Sequence, residues 1–103
     1  MLKLGKLDTA TLSGLLQKHS GIPDPRVIVG AKVGADAAVI DCGDRCIVAK
    51  TDPVTFVSDE IGWYCVNINA NDVACMGAVP KWFLVTVLLP ESSADEAMAE
   101  KIF

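Results

Sequence analysis

Three aspartates stand where a regular element meets a loop. Asp36 follows Gly34 at the head of an apolar run. Asp52 follows Thr51, where a second apolar run meets Pro53. Asp72 lies late in a long apolar segment, beside Asn71 and after Asn67 and Asn69. A carboxylate inside an apolar element is costly to bury unless it is paired or binds a metal. Carboxylate oxygens are also what Mg²⁺ prefers: it takes one or two of them and fills its shell with water and phosphate oxygens. Three such aspartates could anchor one or two metals carrying a polyphosphate. Each has an ordinary reading too. Asp36 after a glycine caps a turn, Asp52 before a proline starts one, and Asp72 accepts hydrogen bonds within a core. Taken singly, the ordinary readings are at least as good, and spacing alone does not bring the three together.

The neighbouring polar groups are equally double-edged. Lys50 stands two residues before Asp52, placed to meet a phosphate or to make a surface ion pair, the commoner case. Asn67 and Asn71 are four apart and share a helical face, to bind a ligand or only one another. Gly30, Gly34 and Gly62 do not compose a phosphate-binding loop of the Walker or dinucleotide type. The sole histidine, His19, falls at the end of a helix and reads as structural. No Ser/His/Asp or Cys/His nucleophilic set can be assembled, so the catalytic residue is unknown. Cys42, Cys46, Cys65 and Cys75 contain no Cys-x-x-Cys pair. They read as buried or half-buried free thiols of a reducing cytosol. A zinc site from Cys42, Cys46 and His19 would lack a fourth ligand.

The elements that must position these groups follow from the pattern. Asp8 caps a first helix on which Leu12, Leu15 and Leu16 recur, with Gly21 beyond its end; Gly14 costs that helix roughly 1 kcal/mol relative to alanine. Two prolines make a loop of residues 21–25. Strands are expected at Arg26–Val29, Ala37–Asp41 and Arg45–Thr51, the last two joined in a hairpin through Cys42-Gly43-Asp44. A loop runs from Asp52 to Asp59. Glu60–Met76 alternates like a strand yet also fits a helix, and its 17 residues without a turn signal decide for the helix. It is apolar nearly all round and should be buried, ending at Gly77 with Pro80 just beyond. Trp82–Leu89 reads as a strand buried on both faces. Ser92 and Ser93, three residues before Asp95 and Glu96, suggest a capping box for a last helix. The order α, β, β, β, α, β, α is an α+β arrangement with the sheet on one side.

With 103 residues there is room for one domain, and 51% hydrophobic content provides for a core. The net charge of −4 argues against a nucleic-acid binder, which needs a basic face. It leaves open a nucleotide whose charge a divalent metal masks. Met1 to Asp8 lacks an apolar run, so no signal peptide is expected, and the longest apolar run is far too short to span a bilayer. The apolar end at Ile102 and Phe103, without a cap, implies that the chain is a piece of a longer design or needs a partner over that edge.

Taken together, Gly34-Ala35-Asp36-Ala37-Ala38-Val39, then Thr51-Asp52, then Asn69-Ala70-Asn71-Asp72-Val73-Ala74-Cys75-Met76-Gly77-Ala78-Val79-Pro80 resemble three ordered motifs of the aminoimidazole ribonucleotide synthetase superfamily. That superfamily includes thiamine-monophosphate kinase, selenophosphate synthetase and the hydrogenase-maturation carbamoyl dehydratase. The third motif, Asn-x-Asn-Asp-x-x-x-Met-Gly-Ala, is the strongest, and its helix looks closest to hydrogenase-maturation-like or unassigned synthetase-related members. The resemblance covers Gly34 to Glu91 and implies an N-terminal ATP-binding domain over residues 1–103, cut short. The implied fold is α+β, a mostly antiparallel sheet packed by helices and pairing with a second copy through the sheet. It implies Mg²⁺ and ATP near that interface, with Asp36, Asp52 and Asp72 as metal ligands. Lys50, Thr51, Asn67 and Asn71 are the nucleotide-binding candidates beside them. The implied reaction phosphorylates or activates a substrate oxygen, in a cytoplasmic homodimer with no nucleic-acid or membrane partner. Many relatives carry two consecutive aspartates after the glycine; here the first is Ala35, which weakens one metal or phosphate contact. The substrate-binding C-terminal domain is not part of this chain, so the small-molecule substrate is unknown and the chain alone is expected to be inactive. The alternatives are a non-catalytic dimerisation or interaction module that keeps the fold and, behind it, a cysteine-based metal or redox protein.

Overall fold

The computed structural model describes residues 5–55 and 59–103. Residues 56–58, within the expected Asp52–Asp59 loop, lie outside the described residues, as do residues 1–4. The chain divides into two compact units, one ending at Ala49 and the other running from Lys50 to Phe103.

The first unit opens with helix α1, Thr9–His19, capped as its sequence suggests. The Asp8 carboxylate accepts from the Thr11 hydroxyl at 2.7 Å and the Thr11 amide at 2.9 Å. These bonds satisfy one of the helix's orphan donors and hold the Asp8 carboxyl below its ordinary pKa. In the proline loop, Asp24 accepts from both the side chain and the backbone amide of Arg26. The guanidinium contact, then the amide, lower its pKa to about 2. The Asp24 carbonyl accepts from Val27 at the start of strand β1, Val27–Val29.

Strands β2 (Ala38–Asp41) and β3 (Cys46–Ala49) complete an antiparallel sheet in the order β1-β2-β3. The hairpin is in register from Ala38↔Ala49 to Asp41↔Cys46. Its tip turns at Gly43, φ +92°, with the Asp41 carboxylate accepting the Gly43 amide at 2.8 Å. An irregularity between Val27 and Val29 shifts the β1–β2 register. Ala37, leading into β2, is buried.

The second unit carries helix α2, Ile61–Cys75, and helix α3, Glu96–Ile102. The helix reading of this ambiguous segment is borne out within a residue at either end. Its C-terminus is a Schellman motif: the Gly77 amide donates to the Ala74 carbonyl and the Ala78 amide to the Val73 carbonyl, with Gly77 at φ +76°. At the other end, α3 packs close to α2, and a Cβ at Gly62 would collide with the backbone carbonyl of Ile102. An ion pair of exposed side chains, Lys101 with Asp59, accompanies that contact.

Four expectations need correction. Helix α2 contains no buried residue; Trp63 is 61% exposed and Tyr64, Val66 and Ile68 are also open. Its apolar circumference reflects a surface that the described residues of its own unit leave open on that side. Trp82–Leu89 forms no strand, because strand structure needs a ladder partner and the described sheet ends with β3. Trp82, Leu84 and Leu88 are almost fully exposed. The last helix is capped by Asp95, which accepts from the Met98 amide at 2.7 Å, while Ser93 belongs to a turn closed on the Pro90 carbonyl. An aspartate one residue before the helix is the better cap, having a short, charged acceptor at the N-cap position itself. Finally, Cys42, Cys46 and Cys75 are exposed and only Cys65 is half-buried, all four as free thiols. Two of the exposed thiols, Cys42 and Cys46, flank the hairpin tip.

Gly77→Ala tests the α2 cap. A Cβ in the left-handed region should cost about 1–2 kcal/mol, lowering the urea midpoint at constant slope. An unchanged midpoint would show that the Schellman turn contributes nothing to stability.

Candidate functional site

The site is built within the second unit, between Lys50 and Asp52 at its start and the flank of α2. Lys50 directly follows β3, and its side chain is only 14% exposed. Its ammonium lies 2.8 Å from Asp72 Oδ2 on α2 and 3.8 Å from Asp52 Oδ2 in the loop after the strand. The first distance is that of a charge-assisted hydrogen bond, the second that of an ion pair without one. Lys50 is therefore a largely enclosed cation between two carboxylates, and not the surface pair that is commoner for such a residue.

A second tie fixes the loop against the helix. The Asn69 side-chain Nδ2 donates to the Asp52 carbonyl at 3.3 Å and to the Cys65 carbonyl one turn back at 2.9 Å. Asn69 and Asp72 are three apart and so lie on one side of α2. That side, with Cys65, Val73 and Met76, is half-covered while Asn71 is exposed. The sequence reading singled out Asn67 and Asn71 by their own spacing. The signal it passed over was the three-residue spacing from Asn69 to Asp72.

The other candidates fall as follows. The Asn67 side-chain Nδ2 donates to the Trp63 carbonyl of its own helix at 2.8 Å, a local back-bond. Thr51 is exposed between Lys50 and Asp52. Asp36 is exposed ahead of β2 in the first unit, just after a turn in which the Ala35 amide donates to the Lys32 carbonyl and Gly34 takes φ +81°. That turn places a positive φ at its third residue, which glycine adopts without strain. His19 is the exposed last residue of α1. Among the described residues no three acidic, imidazole or thiol groups gather as a metal-holding cluster. Two carboxylates do converge, on one ammonium. Hard oxygen donors in that number suit Mg²⁺, which binds through one or two carboxylates and draws its remaining ligands from water and phosphate.

Residues 34–103 match the family described as AIR synthase related protein, N-terminal domain. The chain belongs to this family. The matched span contains Asp36, Lys50, Asp52, Asn69 and Asp72, and so the whole of the geometry above. Among the curated relatives of this family member is a thiamine-monophosphate kinase of Rhodopirellula baltica, 37% identical over 74% of the chain and 29% of the relative. A selenide, water dikinase of Carboxydothermus hydrogenoformans is 34% identical over 91% of the chain and 29% of the relative. A thiamine-monophosphate kinase of Archaeoglobus fulgidus is 37% identical over 52% of the chain and 21% of the relative. The chain thus spans less than a third of the length of these proteins. No solved structure matches it. Among the described residues, no helix is long and apolar enough to cross a membrane.

The two asparagines separate by substitution. Asn69→Ala removes the tie to the Asp52 carbonyl and should lower stability by about 1 kcal/mol. Asn67→Ala removes only a back-bond and should change it by less than about 0.5 kcal/mol. Equal shifts in thermal unfolding would remove the distinction drawn between them.

Proposed function

We propose that this chain is the Mg-ATP-binding N-terminal domain of an ATP-dependent enzyme that phosphorylates or activates a substrate oxygen. The observation that carries the reading is the convergence of the Asp52 and Asp72 carboxylates on one enclosed cation position. Family membership supports it, as do relatives whose names are those of kinases. In this reading Asp52 and Asp72 hold the divalent cation, and Asp36 is a further metal candidate on its motif match alone. Lys50 and the Thr51 hydroxyl serve the phosphates, with Asn67 and Asn71 as further nucleotide contacts. Bound Mg²⁺ would neutralise phosphate charge and align the transferred group. The chain's own part is to place hard oxygen donors in the loop after Lys50 and on a helix flank, tied together by Asn69, so that the cation position is set before nucleotide arrives. The four free thiols accord with a cytoplasmic protein.

A second reading has its own observation. Trp82, Leu84 and Leu88 are 86%, 97% and 91% exposed, and the Trp63 side of α2 is open as well. Large apolar side chains exposed to this degree favour an interaction face. It favours assembly with a second copy, either as the dimer of an enzyme or as a non-catalytic module that retains the fold.

Isothermal titration of ATP separates the two. Saturable binding that requires Mg²⁺, and that falls by at least about tenfold in Asp52→Asn and in Asp72→Asn, is expected for the nucleotide site. A folded dimer indifferent to ATP at millimolar concentration, with or without Mg²⁺, would leave the assembly module as the surviving reading.

A further inference from the structure

Lys50 presents a problem that the nucleotide reading alone does not address. A lysine reserved for phosphate would be expected to project toward solvent, where the anion arrives. Here the side chain is 14% exposed and the ammonium is already engaged, at 2.8 Å from Asp72 and within ion-pair reach of Asp52. Those are the two carboxylates that would receive the metal. An ammonium and a divalent cation cannot share the position: each needs the same oxygens, and like charges at contact distance repel.

We propose that Lys50 is a built-in stand-in for the metal. Its ammonium neutralises Asp52 and Asp72 while the divalent cation is away, and metal binding proceeds by displacing it. The inference rests on the reading of Asp52 and Asp72 as metal ligands and adds a competitor to that site. Two consequences follow from the geometry. Without metal, the paired carboxylates are kept from repelling one another, so the loop stays closed on α2. With metal, the freed ammonium becomes available on the loop beside Thr51, next to the cation that a polyphosphate would bridge. Metal affinity in the absence of nucleotide is thereby held down, and nucleotide, by offering the displaced ammonium a new anion, restores it. The device makes cation and nucleotide bind together better than either binds alone.

The test uses Mn²⁺ alone as the probe, followed by electron paramagnetic resonance on the full chain without nucleotide. Lys50→Met should bind Mn²⁺ about five- to tenfold more tightly than the wild type, because a repelling charge has been removed. Lys50→Arg, which keeps the charge, should stay near the wild type. Tighter binding in Lys50→Met together with loss in Asp72→Asn supports the proposal. Unchanged or weaker binding in Lys50→Met, with binding still lost in Asp72→Asn, overturns the stand-in role and leaves the metal site intact. Mn²⁺ binding that is indifferent to Asp72→Asn, or absent from wild type and Lys50→Met alike, overturns the metal site and the stand-in with it. Should Lys50→Met fail to fold, the wild type carries the test. Saturating Mg²⁺ should raise the rate at which an amine-acetylating reagent modifies Lys50, read by peptide mass spectrometry against Lys18 as an internal standard. A rate that is unchanged or lower overturns the proposal.

Discussion

Two carboxylates held near each other and partly out of water need a positive charge between them. That constraint organises the second unit of this protein. Asp52 and Asp72 come from a loop and a helix with no local reason to meet, and Lys50 is the group on which they meet. Mutual repulsion would otherwise open the loop away from α2, and desolvation would penalise each charge further. The helix itself needs little help from this pairing. Its C-terminus is closed by backbone bonds at Gly77 and its N-terminal turn by contact with α3 at Gly62. What the ion pair contributes is relative position, which propensity and capping do not supply.

The apolar surface obeys a different logic. Half of the residues are hydrophobic, yet among the described residues Ala37 alone is buried. The Trp63 and Tyr64 rings meet edge to face at 5.1 Å and still leave most of the indole in water. Burial of side chains like these supplies most of the free energy of folding. Their exposure identifies faces on which further contacts would add stability. The candidate site does not sit on these faces. Its parts lie on the half-covered side of α2, so the polar and apolar business of the helix are separated around its axis.

Much of this was legible in the residues. The caps at Asp8 and Gly77, the hairpin turn at Gly43 and the helical nature of Glu60–Met76 follow from local chemistry, which acts over three or four residues and leaves its mark in sequence. The order of the three aspartate motifs led to the family. What escaped was whatever depends on a partner outside the local window. Trp82–Leu89 has a strand's composition but no ladder to join. Helix α2 has a buried helix's composition but no cover for its Trp63 side. The ordinary prior for Lys50, a surface pair, failed for the same reason: enclosure is a tertiary property. Asn69 was missed because pairing it with Asp52 spans 17 residues, whereas its three-residue spacing from Asp72 was available throughout.

The loop bearing Asp52 is attached to α2 by two bonds of unlike chemistry. One is ionic, through Lys50; the other is an amide-to-carbonyl bond from Asn69. Salt screens the first, less so for its partial burial, and leaves the neutral bond almost untouched. Ionic strength therefore loosens the charged attachment while the amide bond still holds Asp52 to α2. A protein built this way can let its affinity for charged ligands follow the ionic medium while the scaffold that receives them stays in place.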